Sequence, residues 1–375
     1  MTLLGLSAKD THQLILMVTI STLIWGLVGF LLLCLMQFVS MQGFAKDSVH
    51  KHGVAEMESS RLGGATVIFG GVCLLIVLSF AGFRGAGSGP LSIDWFAWIA
   101  IIGCSVLGLV EDIRNDSLSP RVRLAAKALI FGFILWQWPE LIPGSIGVPF
   151  IDLLLSVPVL AFLLCLMFCV GFLNAVNMAD GANGLVSSIV VITNIIFYKE
   201  IGELGFLVVL ISSSVFLIFN VISGRLFLGD AGAYGIGASI LVMTLWCYSE
   251  GHVSLSFLAV LLSYPCLDFA FSILRRFLTG QSITQPDNDH LHNRIHFQYR
   301  KFFRSKNLAN SSAGLTVSAA SAGVALWGYL AAWWPITSGQ WVMIFGAQCV
   351  AYLLVYYLTG KSALERETSM SNLSV

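Results

Sequence analysis

Charge is scarce in this chain, and so are the features that accompany soluble catalysis. Only 11% of the 375 residues are charged, whereas 57% are hydrophobic and the mean hydropathy is +0.85. Apolar runs this long and this numerous exclude a soluble domain with a single core. There is no internal repeat and no low-complexity segment. Eight cysteines, at positions 34, 73, 104, 165, 169, 247, 266 and 349, all lie in apolar runs, and none forms a Cys-x-x-Cys pair. They read as small buried hydrophobes, with no disulfide framework and no thiolate metal site. No Ser-His-Asp or Cys-His arrangement is present for nucleophilic catalysis. Net charge is zero and nothing marks a nucleic-acid partner.

What is present is hydrophobic length. Windows of about 20 apolar residues give about eleven spans. They centre on 14–36, 64–83, 95–110, 123–138, 154–173, 185–198, 205–222, 233–248, 255–274, 313–334 and 341–359. The run 14–36 is longer than a signal-peptide core and lacks a convincing cleavage site, so it is expected to stay as a membrane helix. The expected architecture is all-α and polytopic, one integral membrane domain over 1–360 with a polar tail over 361–375. With the N-terminus outside and the C-terminus in the cytoplasm, seventeen of the twenty Lys and Arg fall on the cytoplasmic side. Only Lys9, Arg84 and Lys199 fall outside, a distribution that fits the positive-inside rule. The acidic and histidine clusters land on the same cytoplasmic side.

The polar residues that interrupt this pattern mark the chemistry. Gly171 to Leu185 joins two apolar runs with Asn174, Asn177, Asp180, Asn183 and three glycines, including Gly181 and Gly184. Polar groups at such depth persist where they line a watered cavity or bind something. Asn174 and Asn177 share a helix face at i, i+3. Glu111-Asp112 closes the third span, followed by Arg114, Asp116, Arg121, Arg123 and Lys127. Adjacent carboxylates near a membrane call for a cation, and oxygen-only ligands suit Mg²⁺; an ordinary charged helix end is the bland alternative. Lys127, about a turn inside an apolar run, needs an anion. Asp230, in Gly229-Asp230-Ala231-Gly232, fits an N-cap at a glycine-rich helix start that favours phosphate, or a ligand to a metal that binds it. In Asp287-Asn288-Asp289-His290-Leu291-His292-Asn293-Arg294 no third ligand completes a zinc site. His290 and His292 beside Asp and Arg suit a pyrophosphate or sugar contact. Asp268, after Pro265 and before Arg275-Arg276, is a buried acid in need of a partner. Together these groups suit Mg²⁺-assisted phosphoryl transfer between a soluble nucleotide and a lipid phosphate. A transporter or flippase of phosphorylated or lipid-linked substrates is the alternative from another class; it would place acids near the bilayer midplane, often with repeat symmetry.

In order along residues 60–295, Arg61-Leu62-Gly63-Gly64, Glu111-Asp112, Asn174 to Gly181, Gly229-Asp230-Ala231-Gly232 and Pro286 to His292 resemble the polyprenyl-phosphate N-acetylhexosamine-1-phosphate transferases (glycosyltransferase family 4). The resemblance implies transfer of a sugar 1-phosphate from a UDP-N-acetylhexosamine to undecaprenyl phosphate, releasing UMP, at a bacterial inner membrane. It implies Mg²⁺, with Mn²⁺ as a substitute, and allows a homodimer. By resemblance Asp230 is the main metal ligand, Asp180 supports metal or nucleotide, and Asp112 faces the lipid phosphate. Lys127 holds that phosphate, His290 and His292 contact the donor diphosphate, and Glu111, Asn174, Asn177, Asn183 and Arg294 complete the substrate contacts. Glu111 stands where Asp is commoner, Asn183 for a second Asp in DGxDG, Ala233 for Ser, and Asn293 for a third His. The last departure points to a lipid-linked glycan pathway, such as cell-envelope polysaccharide or O-antigen synthesis, rather than the muramoyl-pentapeptide branch. Because a phosphate monoester is mostly a dianion near neutral pH, direct in-line attack is expected rather than a covalent aspartyl intermediate.

Overall fold

The computed structural model describes residues 8–42, 45–47, 59–83, 95–114, 118–282 and 289–371. Asp116 and Asp287, both part of the expected charge clusters, lie outside them. The helices are α1 (Ala8–Ser40), α2 (Gly63–Phe80), α3 (Trp95–Arg114), α4 (Pro120–Gln137), α5 (Pro149–Leu155), α6 (Pro158–Ala179), α7 (Leu185–Ile201) and α8 (Leu204–Ser223). They continue with α9 (Gly229–Ser249), α10 (Leu255–Leu261), α11 (Ser263–Leu278), α12 (Leu291–Tyr299), α13 (Lys306–Ser318), α14 (Val324–Leu330) and α15 (Trp341–Ser371). A π-helical turn, Ala319–Gly323, links α13 to α14. Among the described residues the only strands are β1 (Lys46–Asp47) and β2 (Ser59–Ser60), paired antiparallel.

The all-α expectation therefore holds, and the expected spans fall on helices, on the pair α10–α11 or on the run from α13 through the π turn to α14. Helices dominate because a backbone in hydrocarbon must satisfy its own hydrogen bonds. Among the described residues seven helices, counting α13 to α14 as one, are long and apolar enough to cross a membrane, or eight if α10–α11, bent by 81°, forms one span. The chain is a multi-pass membrane protein. Helices α3, α4 and α7, expected as spans, are not among the seven. The first ends in Glu111, Asp112 and Arg114, the second carries Arg121, Arg123 and Lys127, and the third has 17 residues. Much of the expected polar tail is helical, since α15 runs on to Ser371.

Contacts at the helix ends sort the bundle into two faces. At one end α3, α6 and α8 finish and α4, α7 and α9 begin. At the other, Tyr248 donates to the Ser145 carbonyl at 2.7 Å, Ser254 donates to the Ile336 carbonyl at 3.0 Å, and Tyr329 donates to Glu200. From α2 to α15 the chain alternates between these faces.

Helix α1 departs from the expected single crossing. Gln13 donates to the Ile222 carbonyl at 3.1 Å, Asp10 pairs with Arg225, and Trp25 donates to Ser214 at 2.7 Å. The segment 8–25 therefore runs antiparallel to α8, starting at the face where α9 begins. At Gly26 the backbone turns through φ 59, ψ −140, which a side chain would resist. Beyond it the chain doubles back: a Cβ on Gly29 would lie 2.2 Å from the Ser21 carbonyl oxygen. The return leg ends where Arg61 N–H meets the Ala45 carbonyl at 2.9 Å. In this structure α1 is a re-entrant hairpin with both ends on one face, in place of the N-terminus-outside crossing expected from charge.

The core centres on α9, 89% of whose apolar window is buried. Its small residues let α2, α3 and α6 approach closely, the usual device where lipid supplies no hydrophobic drive between helices.

Candidate active site

The start of α9 carries the site, and Asp112 holds it there. Asp112, fully buried at the end of α3, accepts the Asp230 N–H at 3.0 Å on Oδ1 and the Ala231 N–H at 2.8 Å on Oδ2. It thus caps the first turn of α9 from another helix, filling orphan donors and meeting the positive end of the macrodipole. Asp230, expected at the N-cap, lies one step inside the helix, whose N-cap is Leu228. The helices can meet because of Gly108: a Cβ there would lie 2.2 Å from the Asp230 carbonyl carbon.

Asp230 Oδ1 accepts the Asn177 side-chain amide at 2.6 Å. One turn earlier, Asn174 accepts the Lys127 ammonium at 2.6 Å. Lys127 is buried and lies 4.1 Å from the centroid of the Tyr234 ring. The i, i+3 pair therefore reaches toward a carboxylate with one amide and an ammonium with the other. Asp180 closes α6 beside them. Burial, with Asp230 and Asp112 nearby, pushes its pKa well above the ordinary carboxylate value. Three acids and one buried cation share a small volume.

A divalent cation fits this arrangement. Among the described residues no three His, Cys, Asp or Glu side chains form a closed metal cage. Mg²⁺ does not require one, since it binds through one or two carboxylates, substrate phosphates and water. Asp112 has both oxygens on peptide N–H groups, whereas Asp230 accepts one side-chain amide on Oδ1, and Asp180 lies beside them.

The histidines come from the far end of the chain. His292 lies over the turn after Asp180: a Cβ at Gly181 would fall 2.1 Å from His292 Nε2. Its Nδ1 lies 2.7 Å from the Tyr264 hydroxyl, which also accepts the His292 N–H at 3.1 Å. Burial, then His290 and His296, lower the His292 pKa from 6.5 to about 4 despite the pull of Asp268. His290 Nδ1 meets Asp268 Oδ2 at 2.6 Å, and the Leu291 N–H and Tyr352 hydroxyl donate to Asp268 Oδ1 at 3.1 and 2.9 Å. Asp268 thus has the partner its burial required.

Three expected substrate contacts sit elsewhere in the hydrogen-bond network. Glu111, fully buried, accepts the Leu118 N–H at 2.8 Å and faces Arg123 at 3.5 Å, stabilising the turn into α4. Asn183 donates to Asn307 at 2.8 Å and accepts from Asn220 at 3.3 Å, joining the turn after α6 to α8 and α13. Arg294 donates through Nε and Nη2 to Asp289 at 2.6 and 2.9 Å, donates to the Tyr356 carbonyl at 2.7 Å, and stacks on that ring. It ties the histidine segment to α15. Although burial opposes it, Arg294, Tyr356 and Arg275 keep the Asp289 carboxyl below its ordinary value. Tyr264, Tyr352, Tyr356, Asn220 and Asn307 escaped sequence reasoning. Only Tyr264, next to a proline in a broken span, carried a local signal. The recess at the opposite end, lined by Glu140, Pro143, Ser145, Tyr248 and Thr337 among others, contains none of the site residues.

Comparison with known proteins bears on this site directly. Residues 95–248, which include Asp112, Lys127, Asn174, Asn177, Asp180 and Asp230, match the family model for glycosyl transferase family 4. A probable undecaprenyl-phosphate N-acetylglucosaminyl 1-phosphate transferase of Bacillus subtilis (strain 168) is 29% identical over 199 residues, covering 51% of this chain and 54% of that protein. The phospho-N-acetylmuramoyl-pentapeptide-transferase of Clostridium perfringens (strain SM101 / Type A) is 21% identical over 247 residues, 62% of this chain and 74% of the relative. That of Streptococcus agalactiae serotype III (strain NEM316) is 27% identical over 249 residues, with 59% and 71% covered. The match thus spans about half the length of the Bacillus relative and about three quarters of the other two. The match to the glycosyl transferase family 4 model thus falls on the stretch that holds the buried acids and their lysine.

Proposed function

We propose that this protein transfers an N-acetylhexosamine 1-phosphate from a UDP-sugar to undecaprenyl phosphate, or another polyprenyl phosphate, at the bacterial cytoplasmic membrane. UMP is the leaving product, and the step would begin a lipid-linked glycan. The observation that carries this reading is the junction at the start of α9. There Asp230, Asp180 and buried Lys127 lie together at one bundle face, and His292 rests on the adjoining Gly181 turn. Substrates bearing phosphates, one from water and one from lipid, suit that junction. A transporter would want such acids at mid-depth.

Asp230 and Asp180 would hold Mg²⁺, which supplies charge neutralisation at the diphosphate when bound. Lys127, presented by Asn174, would bind the lipid phosphate. His290 and His292 would contact the donor. Asp112 keeps α9 in place. The main demand in phosphoryl transfer is to align two polyanions and stabilise charge on the leaving oxygen, so positioning outweighs proton removal. In-line attack by the lipid phosphate follows, with no covalent enzyme intermediate. The relatives named for undecaprenyl-phosphate and muramoyl-pentapeptide transfer support the class of reaction. The sugar and the glycan pathway are for experiment to assign.

The test is to incubate the purified chain with undecaprenyl phosphate, Mg²⁺ and a panel of UDP-N-acetylhexosamines, and to follow UMP. Release that requires both substrates and is stopped by EDTA is expected. No release with any donor, from protein shown to be folded, would sink the reading.

A further inference from the structure

Among the described membrane-length helices α15 is the least enclosed, with 11% of its apolar window buried. Trp341, Gln348, Tyr352 and Tyr356 recur along it at helical spacing and share one narrow face. Trp341, Tyr352 and Tyr356 are buried there. The amide among these aromatic residues is the feature that calls for a reason.

In hydrocarbon an unpaired side-chain amide is costly, and only a partner within the protein relieves it. Gln348 has two. Its Nε2 donates to the Ala320 carbonyl at 3.1 Å and to the Ser321 carbonyl at 3.2 Å. Both carbonyls belong to the π-helical turn Ala319–Gly323, where the winding departs from the regular ladder. No side chain from 318 to 323 is larger than serine, so that backbone is open to a reach from outside. Two amide protons that meet two adjacent carbonyls fix the rotation of α15 as well as its height. A second contact agrees in register: a Cβ on Gly328 would lie 2.7 Å from the Trp341 ring, which therefore seats against α14. From 341 to 348, and back from 328 to 321, about two turns separate the contacts on each helix.

Apolar faces gain little from one register over another when the lipid around them is equally apolar. A single buried amide does set register, as at one polar position of a coiled coil. One and two turns beyond Gln348, on the same face, stand the tyrosines that meet the histidine segment. Tyr352 donates to Asp268 at 2.9 Å, and Asp268 faces His290. Tyr356 donates to Asp289 at 2.8 Å and accepts from Arg275. We propose that Gln348 is a positioning residue: by bridging α15 to the π turn it sets the height and rotation of that helix, and so brings Tyr352 and Tyr356 to the acids behind the histidines. Its effect on donor binding rests on the proposed function; its effect on the two tyrosines does not.

The experiment is ¹⁹F NMR of the full chain carrying 3-fluorotyrosine, in lipid nanodiscs, with Tyr352→Phe and Tyr356→Phe to assign the two signals. Gln348→Met keeps the size of the side chain and removes its donors. It should shift or broaden both signals. Tyr356 is the informative one, since it lies two turns from the substitution and moves only if α15 moves as a body. In the same variant the KM for the UDP-sugar should rise about fivefold, the scale of one interhelical hydrogen bond in a membrane, with a smaller change in kcat. Added to Tyr352→Phe/Tyr356→Phe, Gln348→Met should raise KM no further, because the residues through which it acts are already gone. A Tyr356 signal unchanged by Gln348→Met would overturn the proposal. So would the same KM factor with and without the two tyrosines. If Gln348→Met fails to fold, Gln348→Asn, whose amide is one methylene short, takes its place with the same outcomes. A displaced Tyr356 signal in a variant of a protein that releases no UMP with any donor would count against the proposed function alone.

Discussion

Asp112 and Asp230 differ in what they can still do. Both oxygens of Asp112 receive peptide N–H groups, at 3.0 and 2.8 Å, which gives it a structural task at the start of α9. Asp112→Asn should turn one acceptor into a donor that faces an N–H. The expected cost is about 1–2 kcal/mol of stability, with a loss of UMP release that is similar at every pH and is not relieved by excess Mg²⁺. A loss concentrated below about pH 6, where the lipid phosphate keeps its second proton, would restore a general base. Asp230→Asn keeps the Asn177 contact and the helix start and removes charge, and it should abolish turnover at any Mg²⁺ concentration. Near-normal activity in that variant would remove the metal from this face. His292 makes a different prediction. Its folded pKa is about 4 against an ordinary 6.5, so the unfolded chain binds its proton first. The neutral ring's stabilising contribution is complete above pH 6.5 and is lost as pH falls toward 4. Melting temperature should therefore fall through that window, and His292→Gln should flatten part of the slope. Equal slopes in the two proteins would mean the ring is not held neutral.

At the scale of elements, close helix contact sets the geometry. Gly108→Ala puts a methyl where the Asp230 carbonyl carbon is 2.2 Å away, so α3 and α9 must separate. Turnover should fall at least tenfold, on the order of one or two kcal/mol of misplaced contacts, with unchanged helical circular dichroism. Activity equal to the parent would show that α9 does not need that packing. Much of this was legible in the sequence. The apolar runs mark where each helix lies, because hydrocarbon forces long unbroken segments. Asp112, Lys127, Asp180, Asp230 and Asp268 stand out because charge inside such segments needs a partner. What could not be read was which partner. Asn183 and Arg294 have the chemistry of substrate contacts, but amides from Asn220 and Asn307 and the carboxylate of Asp289 reach them first. Those contacts depend on tertiary placement, which no local pattern encodes. The reversal at Gly26 is hidden for a related reason: a glycine in an apolar run looks the same whether the helix continues or turns.

For the whole molecule, the first prediction is sidedness. His12→Cys and Lys301→Cys, on α1 and in the segment after α12, should be labelled from the same side of sealed vesicles by an impermeant maleimide. Labelling from opposite sides would restore α1 as a crossing. The family match ends at residue 248, and the five-residue link from α9 to α10 lies beyond it. Yet Asp268 takes a hydrogen bond from Tyr352, and Asp289 and Arg294 engage Tyr356, both tyrosines on α15. The centre that the family model covers is therefore not a portable module. A chain stopped at residue 340 would keep every motif residue named above and lose the wall on which its histidines lean, so the last membrane helix, with no motif of its own, belongs to the smallest piece of this protein that could work.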